Sequence, residues 1–65
     1  MNVEDLKAAN PEFFTPVVSN FLGDDRLWVA REGGASVLHI VSMHGSHAVY
    51  SIAPTTLKLE YMRHE

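Results

Sequence analysis

The rhythm of apolar and polar positions changes near Gly23. Before that glycine the spacing is helical, and after it the alternation is that of strands. Asn2 is placed to cap a short first helix. Glu4 and Asp5 fall in its first turn, where the helix dipole favours acidic groups, and Leu6 and Ala9 form its apolar side. Asn10-Pro11 interrupts it, because a residue before proline avoids the α region. A second helix has two possible starts, Asn10 with Pro11 or Thr15 with Pro16 at the first helical position. A proline inside a helix costs about 3 kcal/mol, which favours the later start. Phe14, Val17, Val18, Phe21 and Leu22 then make one stripe, closed by Gly23. Phe13 and Phe14 cannot both reach one core from a single helix, so one of them is expected to staple the helix entrance.

Four strands are predicted after Asp24-Asp25: from Arg26 to Arg31, from Ser36 to Met43, from Ser46 to Ile52 and from Thr56 to Met62. The last segment also admits a short terminal helix capped by Thr56, although Leu57, Leu59 and Tyr61 alternate as a strand does. Gly33-Gly34 signals a two-residue hairpin, His44-Gly45 a weaker one, and Pro54 marks the third turn. The expected architecture is α+β, one domain over residues 1–65. One or two short N-terminal helices pack on a four-stranded antiparallel β-meander.

Two tight turns would fix the register, with Trp28 opposite His39 and His39 opposite Tyr50. One face would carry Trp28, Ala30, Val37, His39, Val41, Ala48, Tyr50 and Ile52, continued by Leu57, Leu59 and Tyr61. Leu27, Val29, Leu38, Ile40 and Val49 would line the other. Both centres are apolar, whereas an antiparallel sheet with one wet face normally alternates. The expectation is that the short helical segment covers one face and a second protein surface covers the other. The sequence does not choose between the faces. Trp28, His39, Tyr50 and Tyr61 are the candidate partner-binding residues, because aromatic side chains dominate interface energetics.

Composition narrows the class. The chain has 65 residues and no cysteine, which rules out disulfides and thiolate zinc sites. So short a domain buries little surface, which favours self-association. Its net charge is −3 and its basic residues are scattered, so no nucleic-acid footprint is expected. Neither a secretory signal nor a membrane-spanning stretch is legible, which predicts a cytoplasmic protein.

Candidate chemistry is sparse. In the expected hairpin His39 and His47 point to opposite faces and His44 lies in the turn, so no metal site is expected. A histidine on an interface would still make association sensitive to pH. There is no phosphate-binding loop, dinucleotide fingerprint or nucleophile elbow, and no cofactor is expected. The segment Gly45-Ser46-His47, followed by Ala48-Val49-Tyr50, resembles the glycine-serine-histidine segment of HicA-type mRNA interferase toxins. The resemblance implies that His47 serves in RNA cleavage. The chain differs from that family in being acidic and in carrying 44 residues before the motif.

The expected function is therefore that of a non-enzymatic protein–protein interaction module: a small regulator, inhibitor or accessory subunit that forms a homodimer or binds another protein. Phage and mobile-element regulators offer an analogy of size and charge. The alternative is a HicA-like RNA-cleaving toxin.

Overall fold

The computed structural model describes residues 2–15, 26–42 and 44–65. It has one short N-terminal helix, α1 (Val3–Ala9), and four strands, β1 (Leu27–Glu32), β2 (Ala35–Val41), β3 (His47–Ile52) and β4 (Leu59–His64). The strands form one antiparallel meander in the order β1-β2-β3-β4, so the domain is α+β as expected.

Helix α1 begins as its sequence dictates. The Asn2 side chain accepts a hydrogen bond from the Asp5 amide (3.0 Å), and the Asp5 carboxylate accepts one from the Asn2 amide (3.2 Å). This reciprocal box satisfies two amides that the first turn would otherwise leave unpaired. Leu6 is fully buried, and Asn10 ends the helix in a non-helical conformation ahead of Pro11.

The chain does not start a second helix at Asn10. The amides of Phe13 and Phe14 both donate to the Asn10 carbonyl, making a turn. Freed from helical spacing, both phenylalanines reach one core. Phe14 is buried, Phe13 packs against the same cluster, and their rings meet edge to face at 4.8 Å. The helix expected from Pro16 to Gly23 lies outside the described residues.

The β1–β2 hairpin turns at Gly33 and Gly34, both at positive φ, as a two-residue hairpin requires. Trp28 faces His39, as expected. The next hairpin departs from expectation. Ser42 and Ser46 close a loop of three residues: the Ser42 amide donates to the Ser46 carbonyl, and the Gly45 amide donates to the Ser42 carbonyl. A two-residue turn of type I′ would place His44 at positive φ. In the three-residue loop Gly45 takes that conformation instead (φ +83).

That single added residue shifts the register, so His39 faces Val49 and Leu38 faces Tyr50. Every side chain of β3 changes face relative to the expected pairing. The last strand also starts three residues later than expected. Ala53 accepts from the Leu57 amide and donates to the Lys58 carbonyl, which makes residues 53–58 a loop. A bulge between Val49 and Tyr50 then resets the β3–β4 pairing.

The core lies between α1 and one face of the sheet. Leu6 and Phe14 pack against Leu27, Leu38, Ile40 and Ile52, with Val29, Tyr50, Leu57 and Leu59 at the margin. Thus Leu27, Leu38 and Ile40 belong to the helix-covered face, and Tyr50, Ile52 and Leu59 join them there. Among the described residues no helix is long and apolar enough to cross a membrane.

Candidate functional site

The face turned away from α1 carries Trp28, His39 and Val49 in one cross-strand row, with Arg63 next to Val49 on β4. Val37 and Val49 are buried on it, whereas Trp28 is 41% exposed. The Trp28 indole lies flat on the His39 imidazole, with ring centres 5.1 Å apart and an interplanar angle of 5°. His47 sits obliquely against both rings.

A chain of hydrogen bonds crosses all four strands on this face. His47 Nε2 and His39 Nδ1 are 2.7 Å apart. His39 Nε2 lies 3.1 Å from the Glu32 carboxylate. Arg63 donates through Nη2 to both Glu32 oxygens, at 2.8 and 3.1 Å. It also donates to Glu65 through Nε and Nη2. Glu32 thus receives partners from β2 and β4 although it stands at the end of an edge strand.

The network has a definite electrostatic order. Hydrogen bonding from Arg63 holds the Glu32 carboxyl below its ordinary range, against the opposing effect of burial and with further help from His39. The same contact, with that from Glu65, raises the already high affinity of Arg63 for its proton. An ionised Glu32 can only accept, so His39 Nε2 carries a hydrogen and donates it. That leaves His39 Nδ1 and His47 Nε2 to share one hydrogen between them. His39 is 8% exposed, and among the described residues no buried side-chain nitrogen or oxygen lacks a partner.

The expected separation of the histidines is corrected. His39 and His47 share a face because β3 is displaced by one residue, and Glu32 supplies the carboxylate that the hairpin alone lacked. The two facing nitrogens aim at each other rather than at a common point. Among the described residues no three His, Cys, Asp or Glu side chains group as a metal ion requires.

The four residues singled out by sequence are divided between the faces. Trp28 and His39 stand together in the network. Tyr50 and Tyr61 lie on the helix side, where Phe13 meets Tyr50 at 5.1 Å and Tyr50 meets Tyr61 at 5.7 Å, each edge to face. Tyr61 is 53% exposed and its hydroxyl is bonded to His64 Nδ1. Sequence reading passed over Glu32 and Arg63. Glu32 had a faint signal, since it ends β1 immediately before the glycine turn. Arg63 had none, because the β4 bulge places it.

A depression of about 270 Å³ beside the Gly33-Gly34 turn is lined by Arg31, Gly34, Ala35, Ser36, Ile52 and Pro54. None of these residues belongs to the histidine network. In comparisons with family models, curated proteins and solved structures, the chain matches none.

Proposed function

We propose that this chain is a non-enzymatic interaction module that self-associates through the sheet face carrying Trp28. The observation that supports the reading is the state of that side chain, which is large, exposed and already held in place by the His39 ring. An aromatic anchor fixed before binding loses little rotamer freedom on association. His47 touches it as well, and beyond His39 the network continues through Glu32 to Arg63, polar groups of the kind that rim protein interfaces. A domain of 65 residues also gains proportionally more than a large one from burying surface against a second copy.

Light scattering coupled to size exclusion, over a concentration series, tests the proposal. Wild type should move from monomer towards dimer as concentration rises. Trp28→Ala should remain monomeric with an unchanged circular dichroism spectrum. A wild-type chain that stays monomeric throughout the series would overturn self-association.

One observation favours a second reading, RNA cleavage by His47. The Glu32–His39–His47 chain orients a histidine through a second histidine and a carboxylate, an arrangement suited to moving protons. Against it, the chain is acidic and carries 44 residues before the motif. Under this reading His47→Ala abolishes cleavage of a single-stranded RNA; under the interaction reading wild type cleaves none.

A further inference from the structure

We propose that the His39–His47 pair is a proton-operated switch that seats Trp28 while the facing nitrogens share one hydrogen and unseats it when each carries its own. This deepens the interaction reading, on which its consequence for binding rests; the switch itself resides in the isolated chain.

His39 Nε2 is committed to donating to Glu32. With both rings neutral, His39 Nδ1 accepts and His47 Nε2 donates. One added proton is tolerated. It goes either to the outer nitrogen of His47, or to His39 Nδ1, which then donates to a His47 that has moved its hydrogen outward. A second proton leaves N–H groups on both facing nitrogens. At 2.7 Å there is no room for two hydrogens between them, and two imidazolium rings repel.

The surroundings decide which partner yields. His39 is buried in β2, stacked under Trp28 and tied to Glu32 on β1. His47 is the first residue of β3 and is only half-buried. On β4, Arg63 faces the same cluster, but its charge is met by Glu32 and Glu65. Glu32 remains ionised in mild acid because Arg63 holds its carboxyl low, so the anchor on His39 persists there. His47 therefore swings away. Its ring also touches Trp28, with centres 5.5 Å apart, so its departure removes one of the two rings that hold the indole.

The chain contains a single tryptophan, so its fluorescence reports this site alone. The test combines Trp28 emission with imidazole ¹⁵N spectra of the isolated chain across the histidine range, between about pH 5 and 8. At the alkaline end the expected result is a scalar coupling between His39 Nδ1 and His47 Nε2, with His39 in its Nε2–H form. In acid the coupling vanishes and Trp28 becomes more exposed to an added quencher. In His47→Gln the side-chain amide can still bond His39 Nδ1 but takes up no proton, so the acid-induced gain in quenching should disappear. Equal quenching gains in wild type and His47→Gln would overturn the switch. So would doubly protonated rings that keep their mutual contact.

Self-association at both ends of the pH range separates this idea from the one it rests on. Acid-induced exposure of Trp28 with no dimer at any pH defeats the interaction reading and leaves the switch. A dimer of equal affinity at both ends, over an unchanged Trp28 signal, defeats the switch alone.

Discussion

The side chain of Asn10 donates to the carbonyl of Leu57, 47 residues away in sequence, at 2.8 Å. The same amide nitrogen bonds the Leu6 carbonyl at 3.0 Å, and its oxygen accepts from the Leu59 amide at 3.2 Å. One buried asparagine therefore joins the end of α1 to the entry of β4. Lys58 reinforces the junction by donating to the Ala9 carbonyl, near the end of the helix, where a cation is favoured. Asn10→Ala leaves the Leu57 carbonyl and the Leu59 amide without this partner and should cost about 2–4 kcal/mol, at roughly 1 kcal/mol per lost bond plus the unpaired groups. Urea denaturation checks it. Asn10→Asp should also destabilise, since a carboxylate would face two carbonyl oxygens.

Gly45 decides the register of β2 on β3. Its φ is +83, and a side-chain carbon there would meet nothing within 4 Å. The penalty for Gly45→Ala is accordingly conformational, about 1 kcal/mol, with Gly45→Asn costing less because asparagine tolerates the left-handed region. Thermal melts of the two variants should rank in that order.

Leu57 occupies the same left-handed region, with φ +61. Leu57→Gly relieves about 1–2 kcal/mol of backbone strain. It gives up a comparable amount of partial apolar burial. The variant should lie within about 1 kcal/mol of wild type. Leu38→Ala removes a fully buried side chain with no compensation and should cost about 2–5 kcal/mol. A domain of this size holds only about 3–10 kcal/mol in total, so Leu38→Ala should populate the unfolded state measurably in a denaturant titration.

Glu32 links the network to acid stability. Its carboxyl titrates below the ordinary value of 4.5 in the folded chain, chiefly through Arg63. A carboxyl held low stabilises the fold fully above its unfolded value, and the contribution fades as pH falls through the folded one. Wild type should thus exceed Glu32→Gln in stability near neutrality and lose that advantage progressively below about pH 4.5. Melting temperatures of both chains across the acid range would show converging curves. Parallel curves would remove Glu32 from any role in acid unfolding.

Local chemistry made most of the scaffold legible. The Asn2 cap, the break at Asn10-Pro11, the glycine pair of the first hairpin and the period-2 alternation of four strands act over a few residues, and all are in the structure. The last segment, left open in sequence between strand and short helix, is a strand, in keeping with the alternation of Leu59 and Tyr61, and it starts at Leu59.

Local pattern alone accounts for the α+β class, the strand order and the pairing of Trp28 with His39. Which residues meet across the second hairpin was settled by packing of the folded chain. Loops of two and three residues are both compatible with His44-Gly45, and strand period makes a one-residue difference invert a whole strand. That inversion brought His47 to His39 and sent Tyr50 to the core side. The β4 bulge, equally invisible in local pattern, delivered Arg63 to Glu32. Secondary structure follows from neighbours along the chain, whereas this site depends on register, and register is settled by how the chain packs.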